Sequence, residues 1–195
     1  MRAKNSPAKG RTRQTQLPQK RGAEQWLRAG QVILAESGIG GLRLTRLAES
    51  VGKTTGSFYH FFHDMDSYLG ELTEFYSSKS LQDLIDVAKQ GSDDPLRRLE
   101  RIGEASAQSR IWNVTSAMIF WGATDKRAAN AVASGERLVL DFLIETFGLL
   151  GFDPEQAELR AKMLLVMNFS NVSSSSIPKD RAFRQASFKF LTSKK

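Results

Sequence analysis

The chain has 195 residues, enough for a small head and a larger body, and its 41% hydrophobic content can bury a genuine core. It holds no cysteine, which excludes a disulfide scaffold, a thiolate zinc site and a thiol nucleophile. Six of the formal +7 charges sit in residues 1–20 (Arg2, Lys4, Lys9, Arg11, Arg13 and Lys20, with no acid among them), which leaves +1 for the other 175 residues.

A basic arm on a nearly neutral body suits a polyanionic partner, nucleic acid first of all, although a solvated tail that aids solubility explains the same charges. No run of about 18 apolar residues occurs. The basic N-terminus leads into Gln, Pro and Ser rather than an apolar signal core, so a cytoplasmic protein without a membrane span is expected.

From Arg21 the apolar residues adopt helical spacing, with Ala23, Leu27, Gly30 and Leu34 on one stripe and Trp26 and Ile33 beside it, predicting a first helix over 21–36. Gly38, Gly40 and Gly41 end it. Leu44, Leu47, Ala48 and Val51 mark a short second helix closed at Gly52. Thr54 is placed to cap a third helix that carries Thr55 to Phe61, and Asp64 to cap a long fourth one that runs towards Ala88. Gly91 to Pro95 form a loop, with Pro95 suited to a first helical turn. Further helices are expected at 95–109, 112–122, 126–149, 154–173 and 179–192, with the run Ser173 to Ser176 before Pro178 as a loop. No strand alternation and no repeat stand out, so the fold class is all-α.

Two short helices joined at Gly52 behind a longer supporting helix fit the helix-turn-helix plan, whose second short helix enters the major groove. Leu44, Leu47, Ala48, Val51 and Phe58 would hold it from inside. Thr54, Thr55, Ser57, Tyr59 and His60 would face outwards and offer hydroxyls, a phenol and an imidazole to phosphates and base edges.

The run Leu47-Ala48-Glu49-Ser50-Val51-Gly52-Lys53-Thr54-Thr55-Gly56-Ser57-Phe58-Tyr59-His60-Phe61-Phe62 resembles the signature of the TetR/AcrR family of transcription regulators. The likeness extends back through Ala29 and Gly38 and covers residues 21–70. It implies that Thr54 to His60 form the recognition helix, that Phe58 and Phe62 are core, and that Tyr59 and His60 approach the phosphate backbone. Gly56 stands where the family favours a small residue, and close approach to DNA would offset the roughly 1 kcal/mol helix cost of glycine.

Two positions depart from the family pattern: Arg43 replaces a common Ser or Thr before the second helix, and Met65 replaces a lysine in the fourth. With Arg46 added, the expected DNA-contact set is Arg43, Arg46, Lys53, Thr54, Thr55, Gly56, Ser57, Tyr59 and His60. Residues 21–69 carry five basic and five acidic residues, so net attraction to DNA must come largely from the arm.

The expected organisation is an arm over 1–20, a DNA-binding head over 21–69 and a regulatory and dimerisation body over 70–195. The body resembles the family's regulatory half most clearly in Trp121-Gly122-Ala123-Thr124-Asp125 and Leu149-Leu150-Gly151-Phe152-Asp153-Pro154. The resemblance implies an effector cavity between the middle helices, for which Phe75, Trp112, Met118, Phe120, Trp121, Phe142 and Phe147 supply a lining suited to an apolar or aromatic small molecule. Each of the seven also suits ordinary core packing.

The last two helices would form a homodimer, with Leu164, Leu165, Val166, Met167 and Phe169 making the first of them apolar nearly all round. A two-fold dimer predicts a palindromic double-stranded DNA operator, and the family default is a repressor. No cofactor and no enzymatic activity are expected. His60 and His63 near Asp64 and Asp66 only loosely resemble a metal cluster, and no nucleophile motif or phosphate-binding glycine loop occurs. The competing reading is a helical nucleic-acid or protein interaction module without a specific operator.

Overall fold

The computed structural model describes residues 16–169 and 181–193. The helices in chain order are α1 (Gln16–Ser37), α2 (Leu44–Val51), α3 (Thr55–Phe58), α4 (Met65–Glu74), α5 (Leu81–Lys89), α6 (Pro95–Ser109), α7 (Ile111–Gly122), α8 (Lys126–Leu149), α9 (Pro154–Phe169) and α10 (Arg181–Thr192). A 3-10 turn, Ile39–Gly41, follows α1, and a π-helical turn, Phe75–Ser80, joins α4 to α5. No strand occurs among the described residues, and none of the helices there is long and apolar enough to cross a membrane.

The boundaries follow local chemistry. Gly38 takes φ 65° where α1 stops, and Gly52 takes φ 65° and ψ 37° after α2, a left-handed conformation that costs glycine little. Thr54, Asp64, Asp94 and Asp125 each accept a backbone N–H at the start of a helix, and Pro95 occupies the first turn of α6.

Three expectations shift. α1 begins five residues earlier than its apolar stripe, at Gln16, so the expected arm of 1–20 is helical over its last five residues and otherwise lies outside the described residues. The third helix is one turn long. The fourth is interrupted by the π turn. The loop expected at 173–178 and the parts of the last two expected helices that flank it, 170–173 and 179–180, lie outside the described residues.

An aromatic cluster ties the N-terminal helices together. Phe58 packs edge-on to Trp26 of α1 at 5.5 Å and lies 5.0 Å from Phe62, which in turn meets Tyr68 of α4 edge-on at 5.0 Å. Tyr68 Oη then donates to the Trp26 carbonyl at 3.0 Å, closing the cluster around a satisfied hydroxyl. Behind it, α5 to α8 bury a second set, including Ile85, Leu99, Met118, Phe142 and Phe147, and α9 adds Ala157 and Ala161. Small residues on α9 let it lie close against α8.

Candidate nucleic-acid interface

Leu47 and Ala48 of α2 are buried, which fixes how Gly52 and Lys53 leave the helix. The Thr54 backbone is extended, and its Oγ1 accepts from the Ser57 N–H at 3.3 Å while sharing a 3.0 Å hydrogen bond with Ser57 Oγ. The expected recognition helix over Thr54–His60 is therefore α-helical only over Thr55–Phe58. Its residues explain this: β-branched Thr54 and Thr55, Gly56 and Ser57 are all weak helix formers, so buried Phe58 rather than propensity holds the turn.

Past Phe58 the chain turns, with the Phe61 and Phe62 amides donating to the Phe58 carbonyl at 2.9 and 3.0 Å, and Phe62 returns to the core. Tyr59 ends up 58% exposed, its ring edge-on to Phe58. Lys53, Thr54, Thr55, Gly56, Tyr59 and His60 thus form one exposed strip of chain, and Ser57 is half-buried with its hydroxyl turned to Thr54.

Arg43 is exposed at the start of α2 and makes no capping contact through its side chain. Arg46 has partners within the chain: its guanidinium donates to Ser37 Oγ at 2.7 Å and Glu36 Oε2 at 3.2 Å, fastening α2 to the end of α1.

The start of α4 is rigidly held. Asp64 Oδ1 accepts from the Ser67 N–H at 2.7 Å and Oδ2 pairs with His63 Nδ1 at 2.9 Å. The Ser67 amide above all, and then His63, lowers the Asp64 carboxyl to a pKa of about 2. Asp66 is engaged elsewhere. Arg127 of α8 donates to its carboxylate at 2.9 Å and its carbonyl at 3.2 Å, and to Asp125 at 2.8 Å. Sequence periodicity carries no signal for Arg127, because the contact spans 61 residues. Among the described residues no three His, Asp or Glu side chains gather into a metal-binding group.

A cavity of about 850 Å³ opens between α5, α6, α7, α8, α9 and α10, within the size range of small-molecule sites. Its walls are mostly aliphatic, among them Leu81, Leu84, Ile102, Val139, Leu143 and Leu165, with charged side chains on α6 and α10. Of the seven expected lining residues only Trp112 lies on it. Phe75, Met118, Phe142 and Phe147 are packed in the core, with Phe147 edge-on to Phe152 at 6.0 Å. Phe120 is 79% exposed and, with buried Trp121, borders a separate shallow groove between the end of α1 and α7. Composition alone does not distinguish an aromatic residue packed in the core from one that lines a cavity.

The chain superposes on a transcriptional regulator from Rhodococcus sp. Rha1 with a TM-score of 0.65 and 21% identity, over 87% of this chain and 93% of that one. It is likewise similar to a TetR-family regulator from Agrobacterium tumefaciens, with a TM-score of 0.63 and 15% identity over 89% and 95% of the two chains. The fold is that of the TetR-family regulators. A TetR transcriptional regulator from Legionella pneumophila shares it at a TM-score of 0.68 and 14% identity, over 86% and 94%. No protein-family model and no curated protein matches the sequence.

Proposed function

We propose that this chain is a sequence-specific, DNA-binding transcription regulator that represses from a palindromic operator as a homodimer and responds to a small molecule in the body cavity. The observation that carries the reading is the recognition turn. Phe58 and Phe62 anchor it from inside, and every group left outside, from Lys53 to His60, is a hydrogen-bond donor or acceptor or a bare backbone, the chemistry that positions on phosphates and reads base edges.

Support for the dimer lies on α9 and α10. Leu159, Met163 and Val166 of α9 are exposed at helical spacing, and Phe190 of α10 is exposed as well. Four large exposed apolar side chains on two adjacent helices suit an association surface. An effector that prefers one arrangement of the body would change operator affinity through it. The fold and its solved neighbours favour regulation over catalysis, and a cytoplasmic location follows from the need to meet DNA.

Selection of bound fragments from genomic DNA by the purified full-length chain, at near-physiological salt, tests the proposal. An enriched palindrome is expected. Salt-sensitive binding without any enriched sequence would overturn it in favour of a non-specific nucleic-acid binder, since operator recognition requires about a thousandfold preference or more.

A further inference from the structure

We infer that the start of α1 is a third wall of the DNA interface, beside α2 and the recognition turn, and that Arg21 is its phosphate contact. This rests on the reading that the recognition turn meets duplex DNA. The turn is seated on α1 at two points one helical turn apart. Phe58 packs edge-on to Trp26 at 5.5 Å. Three residues later the Phe61 ring lies against the bare backbone at Gly22, where a Cβ would fall 2.5 Å from both Cε1 and Cζ of that ring. No side chain fits between them, so the first turns of α1 are held close to the end of the recognition turn. Tyr59 and His60, between the two seats, are exposed. Arg21 precedes Gly22 by one Cα spacing, about 3.8 Å, and is exposed as well. It therefore emerges next to the groups proposed to meet DNA.

Ion pairing within the fold decides which charges a polyanion encounters. Residues 21–69 hold five basic and five acidic side chains, but most of them are engaged with one another or with the body. Arg28 donates to Glu24 at 2.6 Å and to Asp83 of α5 at 3.2 Å, and Arg46 donates to Glu36 at 3.2 Å. Asp66 accepts from Arg127 at 2.9 Å, and Asp64 is turned to the Ser67 amide at 2.7 Å. Arg21, Arg43, Lys53 and Glu49 make no ion pair and no side-chain hydrogen bond among the described residues. Three cations against one carboxylate remain, so the surface around the turn is positive although the sequence count is balanced.

The three cations bracket the turn. Arg43 stands at the start of α2, Lys53 in the link that leads to Thr54, and Arg21 near the start of α1. A duplex fits this pattern, because its phosphates recur along both strands and can meet cations carried by separate elements. An exposed guanidinium with no partner of its own suits phosphate oxygens, which it can bind two at a time. The basic residues 1–15 join α1 at this same end, so Arg21 continues their charge into the folded head.

Salt titration of the full-length chain on a short random-sequence duplex tests the assignment, because the slope of log affinity against log salt counts the phosphates that are neutralised. Arg21→Gln is expected to flatten the slope by about 0.9, the share of one phosphate, and Arg21→Lys to keep it. Arg28→Gln, two turns along the same helix but already bound to Glu24 and Asp83, should leave the slope unchanged. Both positions are exposed, so the circular dichroism of all three variants should match wild type. An unchanged slope in Arg21→Gln would place this residue away from the DNA and overturn the inference. An equal fall in Arg28→Gln overturns it too, since any lost charge would then act alike. The random duplex keeps these slopes readable where no operator is enriched, so sequence-specific regulation and the Arg21 contact fail separately; a chain that binds no duplex at all overturns both.

Discussion

A Cβ on Gly30 would lie 1.8 Å from Tyr68 Oη, the hydroxyl that closes the aromatic cluster on the Trp26 carbonyl. Gly30→Ala should therefore cost about 1–3 kcal/mol by overpacking, read as a fall in Tm. Gly56 is small for another reason: its Cβ would meet only Thr54 Oγ1, at 3.7 Å. Gly56→Ala should leave Tm unchanged or raise it, by the helix propensity gained, yet weaken operator binding in a filter or fluorescence titration if, as proposed, DNA approaches the chain there. Unweakened binding would remove Gly56 from the contact surface. Asp64 adds a pH dependence. Its folded pKa is depressed from 3.8 to about 2, so its contribution is complete above the unfolded value and lost as pH falls from near 4 through 2. Acid titration of Tm should show Asp64→Asn losing that part of the slope, while the wild-type chain keeps it.

At the scale of helices, Tyr76→Phe probes the hydrogen bond that ties the π turn to Thr115 of α7. The substitution leaves Thr115 Oγ1 without its Tyr76 donor at a position 2% exposed, and about 1–3 kcal/mol of stability should go with it, measured by urea unfolding with an unchanged m-value. The π turn itself illustrates what the sequence hides. The capped starts at Thr54, Asp64 and Pro95 and the glycine stop at Gly52 are legible because each is a local match between one side chain and nearby backbone. A π turn depends on how Tyr76, Ser80 and Leu81 meet α7, α1 and α8, partners distant in sequence. The same limit applies to the cavity, which Leu81, Val139 and Leu165 line, whereas of the aromatic residues that looked suitable only Trp112 does. Arg46, read as a DNA contact from its charge, also has partners that periodicity does not show, Glu36 and Ser37 across the turn.

For the molecule as a whole, residues 21–69 carry balanced charge, so the proposed DNA-binding reading assigns most of the electrostatic attraction to the first twenty residues. Their deletion should lower the slope of log affinity against log salt by about 0.9 for each phosphate that the arm no longer neutralises, and an unchanged slope would confine binding to the recognition turn. The two-fold arrangement is tested at α9. Val166 is 63% exposed in the single chain, so Val166→Glu leaves the packing of that chain alone and its circular dichroism should match wild type. In a dimer joined through Leu159, Met163 and Val166 the new carboxylates would be buried on both sides of the axis without a cation, which an interface tolerates poorly. Sedimentation should then show the wild-type chain as a dimer and Val166→Glu as a monomer. The monomer keeps its recognition turn but engages one half-site at a time, so its affinity for a palindrome should drop towards that for an isolated half-site. A variant that sediments as a dimer would place the interface on another face and detach the palindrome argument from α9 and α10.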